Sequence, residues 1–172
     1  MADSRILIVG IEDLGTAGVV AAHAAHVALE QQATQLVLLH VLDEHTMLSG
    51  MYAIAIPTTT MAETAEEGGR VLALAEAALR AEFAALKQPL PAIKLKVVDG
   101  PPGAALTEFA AHPGVIGIVL GARRPHAFGR LTHPDVRSQV QRHGHVPIFL
   151  APLQAVGEDD ETESNSRAMT EV

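Results

Sequence analysis

Basic side chains are concentrated in one stretch of an otherwise acidic chain. Between residues 115 and 152 lie five of the 12 lysines and arginines: Arg123, Arg124, Arg130, Arg137 and Arg142. This stretch begins with an apolar strand at Val115, continues as a polar loop over 121–133, enters a short helix near Pro134 and ends in a second apolar strand. Guanidinium groups hold anions through charge-assisted hydrogen bonds, and the free amides of a helix start do the same. The sequence therefore predicts an anion-binding cleft at this loop.

A second polar group, Glu12 and Asp13, directly follows the first apolar run, which spans residues 5–11. The carboxyl ends of parallel strands meet at one edge of a sheet, so this pair is expected at the same edge as the basic loop. Either Asp13 or Thr16 is suited to cap the helix that follows. Capping and turn formation are the simplest roles for these carboxylates.

Neither a catalytic centre nor a metal site is predicted. Ser138 and His143 lack the strand-turn-helix setting of a serine nucleophile, and no Gly-x-Ser-x-Gly motif occurs. The histidines that could serve as ligands fall into two groups, His126, His133, His143 and His145 near the C-terminus, and His23 and His26 on one helix. The chain has no cysteine, and neither group has the HExxH spacing of a zinc site.

The segments that position these residues alternate between strands and helices. Strands are predicted over 5–11, 35–42 and 91–98, from 115, and over 146–151; helices are predicted up to 32, over 61–87, over 102–112 and from about 134. Lys94 and Lys96 alternate with apolar residues, which favours an edge position for the third strand. Residues 43–60 have no clear period and are interpreted as a long loop. The alternation predicts an α/β fold, a single doubly wound open sheet of five parallel strands.

The composition is that of one domain followed by an acidic tail. The chain has 172 residues, a formal net charge of −8 and, in residues 154–172, six acidic side chains against one arginine. We therefore divide it into a domain, 1–153, and a tail, 154–172, that is expected to be disordered. The mildly acidic body argues against nucleic-acid binding, and no apolar run is long enough for membrane insertion. A cytoplasmic protein is expected, since the first residues lack the pattern of an export signal.

The order of residues in the basic stretch resembles the universal stress protein family. Nucleotide-binding members of that family carry Gly-x-x-Gly, then nine residues, then Gly-Ser or Gly-Thr. The positions that fit this pattern are Gly121, Arg123, Val136 and the closing Val146-Pro147-Ile148, and those that depart from it are Arg124, Pro134 and Asp135. Further similarity lies at 6–12, 38–42 and the Gly-x-Pro of Gly100 and Pro102, so the resemblance covers most of residues 5–152.

The resemblance implies the strand order 3-2-1-4-5 and a nucleotide cleft at the carboxyl ends of the strands. Glu12 lies where the family has an aspartate that contacts the nucleotide, and Val41 lies where it has an adenine-side contact. The candidate cleft residues are Ile11, Glu12, Val41, Gly121, Arg123, Arg124, Arg130, Asp135 and Val136. Family members generally dimerise, and the fifth strand, with Val146, Ile148 and Leu150, is the expected dimer edge.

The departures from the motif weaken the binding of a triphosphate. Arg124 adds a side chain where a glycine would let the backbone approach, Pro134 removes an N–H donor, and the Asp135 carboxylate competes for the amides of the helix start. The resemblance thus implies a regulatory binding module of the stress response, not an enzyme, that acts as a homodimer with an unidentified protein partner and does not bind ATP in the usual family manner. One alternative is an adenine-nucleotide sensor, for ATP or AMP, that uses the arginine-rich loop 121–137. Another is a slow Mg²⁺-dependent ATPase that relies on Glu12.

Overall fold

The computed structural model describes residues 4–42, 61–122, 136–143 and 145–152. The strands are β1 (Ile6–Gly10), β2 (Gln35–Leu42), β3 (Ala92–Asp99), β4 (Val115–Gly121) and β5 (Ile148–Ala151), and the helices are α1 (Leu14–Glu30), α2 (Met61–Ala85), α3 (Pro102–Ala110) and α4 (Val136–His143). Every strand pair is parallel, and the order in the sheet is β3-β2-β1-β4-β5. The predicted doubly wound α/β fold and its strand order are confirmed.

The central strands place alternate side chains in two apolar layers. On one face, Leu7 and Val9 of β1 belong to the layer covered by α1 and α2. On the other face, Ile8 of β1 packs in a layer with Leu106 of α3 and Val140 of α4. Since both faces are covered, the central strands have no solvated face, and their sequences are continuous apolar runs.

Helices α1 and α2 both end two residues before the predicted positions, Gln32 and Lys87. Each of these residues has a positive φ, 51° for Gln32 and 53° for Lys87. The N–H of the following residue then donates to the carbonyl five residues earlier, as Ala33 does to Ala28 at 2.8 Å. This is the Schellman turn, which usually uses glycine at the positive-φ position. Because glutamine and lysine take that position here, no glycine marks either helix end in the sequence.

Other boundaries differ by one or two residues, and β5 is the one that concerns the predicted dimer edge. The strand begins at Ile148, so Val146 precedes it. Pro147 has no N–H to donate, which is consistent with the ladder starting after it. Three predictions concern residues outside the described ranges: the helix start at Pro134, the loop 43–60 and the tail 154–172. Among the helices described, none is long and apolar enough to cross a membrane.

Two adjacent glycines of α2 lie in very different surroundings. A Cβ on Gly68 would lie 3.0 Å from His40 Cδ2 and 3.3 Å from Val97 Cγ1, whereas a Cβ on Gly69 would meet nothing within 4 Å. We expect Gly69→Ala to stabilise the protein by about 1 kcal/mol through helix propensity. We expect Gly68→Ala to destabilise it by about 1 kcal/mol, since overpacking outweighs the same gain. Urea unfolding of both variants measures the two effects, and a stabilised Gly68→Ala protein would show that the neighbouring ring yields freely.

Candidate functional site

The strand order changes direction at β1, because β2 and β3 lie on one side of it and β4 and β5 on the other. The connections that leave neighbouring strands at such a point diverge, and a crevice forms outside the carboxyl ends of the strands. β1 ends at Gly10 and β4 ends at Gly121. The residues that follow these two glycines therefore border the crevice, which is where open α/β sheets bind ligands.

The segment after β1 forms one border of the crevice. Ile11 is buried, and its N–H donates to the carbonyl of Leu39 at 2.9 Å. Glu12 and Asp13 are exposed. Asp13 Oδ1 accepts the backbone N–H of Thr16 at 2.9 Å and the Thr16 hydroxyl at 3.2 Å, so Asp13 is the N-cap of α1. The start of α1 is thus already engaged by a carboxylate of the chain itself.

His40, near the end of β2, holds the same segment from the side. Its Nδ1 lies 2.8 Å from the carbonyl oxygen of Ile11. A carbonyl can only accept, so Nδ1 carries the proton and donates. Among the described residues, His40 is the polar residue whose side chain is buried, with 8% of its surface exposed. Gly68 of α2 lies against its ring. The strand predicted over 35–42 includes His40 but assigns it no role, although a polar residue inside an apolar run is the available signal.

Three more of the predicted cleft residues lie near the carboxyl edge of the sheet. Val41, at the end of β2, and Val136, the first residue of α4, are partly buried and pack against the apolar layer on the α3 and α4 face. Gly121 ends β4 and pairs with Ala151 of β5. The structure thus brings together Ile11, Glu12, Val41, Gly121 and Val136 at this edge. The other candidates, Arg123, Arg124, Arg130 and Asp135, lie outside the described residues.

The histidines and carboxylates in the described part of the chain form no cluster of three or more that could hold a metal ion. His26, one of the two histidines that the sequence places on one helix, has another role. Its Nε2 lies 3.0 Å from Glu82 Oε1, a contact that joins α1 to α2 at the surface.

Comparison with known proteins gives one family. The sequence profile of the Universal stress protein family matches residues 4–152, whereas no curated protein is significantly similar to the chain. Among solved structures, the universal stress protein UspA from Lactobacillus plantarum is 22% identical, with 88% of this chain and 99% of that chain covered and a TM-score of 0.51. The universal stress protein from Archaeoglobus fulgidus in complex with dAMP is 18% identical, with 87% and 98% covered and a TM-score of 0.56.

A universal stress protein in complex with cAMP is 17% identical, with 89% of this chain and 100% of that chain covered and a TM-score of 0.58. At these identities the structures share the fold with this chain. The profile match adds the sequence relationship, because it extends from before β1 to the end of β5. The chain therefore belongs to the universal stress protein family.

Proposed function

We propose that this chain is a cytoplasmic regulatory module of the stress response that acts as a homodimer and through a protein partner, without catalysis and without binding ATP in the usual manner of its family. Its domain is residues 1–153, and 154–172 follow as an acidic tail. The observation that carries the proposal is the cap of α1, where the Asp13 carboxylate accepts the Thr16 N–H at 2.9 Å. An anion that approached this helix start would meet a carboxylate instead of a free N–H.

Helix α4, which follows β4 on the other side of the crevice, is preceded in the sequence by an aspartate, as α1 is. Asp135 directly precedes Val136, the first residue of α4, and an aspartate at a helix start accepts free N–H groups itself. Pro134 has no N–H, and Arg124 stands at a position that the family motif gives to glycine. A triphosphate needs several N–H donors that converge on it. Aspartates at both helix starts and the missing glycines together argue against that ligand.

No strand in the described ranges pairs with the outer edge of β5, and this supports the homodimer. The N–H of Ala122 donates to the carbonyl of Ala151 at 2.9 Å, so the odd-numbered residues of β5 face β4. The backbone groups of Ile148 and Leu150 consequently point to the outer edge, where they are available to a second copy. The side chains of Val146 and Ile148 pack against the domain's own apolar layer. We therefore assign the pairing to the backbone of the strand rather than to these side chains.

One alternative, an adenine-nucleotide sensor, is favoured by the ligands of two structural neighbours. The neighbours described above were solved with cAMP and with dAMP, each of which has a single phosphate. In this chain Ile11 and Val41 supply apolar groups near the crevice. The arginine-rich loop 121–137 offers side-chain donors in place of backbone amides. A monophosphate needs fewer hydrogen-bond donors than a triphosphate. If the chain is a nucleotide sensor, we therefore expect its ligand to resemble AMP.

A thermal-shift titration separates the two functions. The protein and a variant with the glycine motif restored, Arg124→Gly, Pro134→Gly and Asp135→Ser, are titrated with ATP, AMP and cyclic AMP, with and without Mg²⁺. We expect no shift for the parent protein. For the restored variant we expect a rise in Tm of roughly 5–10 °C at a hundredfold excess of ATP over its Kd, since that excess is worth about 2.7 kcal/mol.

Other outcomes have distinct meanings. Stabilisation of the parent protein by AMP or cyclic AMP alone would favour the sensor, and stabilisation by micromolar ATP would contradict the proposal. Release of phosphate that disappears in a Glu12→Gln variant would instead show an ATPase. Sedimentation velocity of the same samples reports the oligomeric state, for which we expect a dimer; a monomer would refute the role given to β5.

A further inference from the structure

Strand β3 forms the edge of the sheet opposite to β5. It is paired with β2 along its whole length, Gln35 to Leu42 against Ala92 to Asp99. Within the described part of the chain, no strand pairs with its outer side. Two of its apolar side chains are unusually exposed for a sheet residue, Leu95 by 42% and Val97 by 37%. An eight-residue strand with a free side is long enough to accept another extended segment.

The hydrogen bonds to β2 show which backbone groups of β3 are free. The N–H of Ala92 donates to the carbonyl of Thr34 at 3.2 Å, and the N–H of Gly100 donates to that of Leu42 at 3.1 Å. The even-numbered residues therefore face β2. Because backbone direction alternates along a strand, the N–H and C=O groups of the odd-numbered residues 93, 95 and 97 point outward. The edge thus presents an evenly spaced row of donors and acceptors.

The side chains divide the same edge into an apolar and a basic face. Leu95 and Val97 lie opposite Leu38 and His40 of β2, on the face covered by α2. Lys94 and Lys96, which alternate with them, therefore lie on the other face, and both are exposed. Neither lysine has an ion-pair partner among the described residues. In a chain of formal net charge −8, this pair is a local positive site that no acidic side chain of the described ranges neutralises.

We propose that the β3 edge binds an extended segment of a partner protein in which acidic and apolar residues alternate. Such a segment adds a strand to the sheet through the free backbone of residues 93, 95 and 97. Its acidic side chains lie beside Lys94 and Lys96, and its apolar side chains lie beside Leu95 and Val97. The inference rests on the proposal that the chain works through a protein partner and names the chemistry of that partner.

Two other occupants fit this edge less well. A second copy of β3 would bring Lys94 and Lys96 against the same lysines, and like charges on adjacent strands repel. The chain's own tail has consecutive acidic residues, Glu158, Asp159, Asp160 and Glu161, without alternating apolar ones.

The test uses the full chain and a fluorescein-labelled peptide of alternating glutamate and leucine, with an alternating lysine and leucine peptide as its control. Fluorescence anisotropy is expected to show binding of the acidic peptide and no binding of the basic peptide. Lys94→Glu combined with Lys96→Glu is expected to weaken it at least about tenfold. Lys87→Glu, which reverses an exposed lysine in the turn after α2, is the control for a charge reversal away from the edge and is expected to bind as the parent protein does. Amide exchange at residues 93, 95 and 97 is expected to slow when the peptide is added.

Several results would overturn the proposal. These are no binding, equal binding by the lysine variant and its control, or slowed exchange at amides other than the odd-numbered ones of β3. If those amides are already protected in the free protein and lose protection in the variant Glu158→Gln, Asp159→Asn, Asp160→Asn, Glu161→Gln, the tail is the occupant. Protection that rises with protein concentration would identify a second copy. None of these readouts depends on nucleotide or on β5, so failure here is distinguishable from failure of the proposed function.

Discussion

Replacing Gly114 with alanine is expected to lower the free energy of unfolding by about 3 kcal/mol. Gly114, in the turn between α3 and β4, has a φ of 86°, where an L residue is strained by about 1–2 kcal/mol. An added Cβ would also lie 2.5 Å from the carbonyl oxygen of Ser4, which is a backbone atom and cannot rotate away. Because the Gly114 carbonyl accepts the Ile6 N–H at 2.8 Å, any displacement of the turn reaches the start of β1.

Gly100→Ala is the matched control for this prediction. Gly100 also has a positive φ, 123°, but a Cβ added there would meet nothing within 4 Å. We expect Gly100→Ala to lower the free energy of unfolding by about 1–2 kcal/mol through backbone strain alone. Urea unfolding followed by circular dichroism measures both variants, and their difference isolates the cost of the close approach to Ser4. Equal losses would show that the turn moves aside without cost.

The buried strands could be predicted because burial on both faces makes their sequences continuously apolar. β2 has the predicted bounds, Gln35–Leu42, and the alternation at Lys94 and Lys96 correctly placed β3 at an edge. The ends of α1 and α2 could not be predicted in the same way. They are set by Gln32 and Lys87 in conformations typical of glycine, and the tertiary contacts that stabilise such a conformation are not visible in the local sequence.

The same distinction applies to the candidate site. Ile11, Glu12 and Val41 lie at one edge because parallel strands share their carboxyl ends, which follows from element order alone. His40 could not be assigned a role from the sequence, because its partner is the carbonyl of Ile11, 29 residues away in the segment that follows the neighbouring strand β1. A polar residue in an apolar run shows that a partner is needed, whereas the register of β1 against β2 shows which one it is.

Replacing His40 with leucine is expected to lower the free energy of unfolding by about 2 kcal/mol and to increase local opening of the segment after β1. The Ile11 carbonyl would lose the donor that lies 2.8 Å away, and a buried acceptor left unpaired costs about 1–3 kcal/mol. Leucine is apolar and still fills space below α2, so the lost hydrogen bond is the main effect. Amide exchange at Ile11 and Thr16, whose N–H groups donate to the Leu39 carbonyl and to Asp13 Oδ1, is expected to accelerate by more than the change in global stability explains. Urea unfolding and exchange monitored by NMR measure the two quantities.

His40→Asn separates the hydrogen bond from the packing of the ring. The asparagine amide nitrogen can take the place of Nδ1 and donate to Ile11, while the shorter side chain leaves a gap beside Gly68. We therefore expect this variant to be destabilised but to keep the parent protein's slow exchange at Ile11 and Thr16. Equal acceleration in both variants would show that ring packing alone holds the segment. If the hydrogen bond holds it, the His40 ring, which lies between Gly68 of α2 and the Ile11 carbonyl, fixes the start of the crevice border.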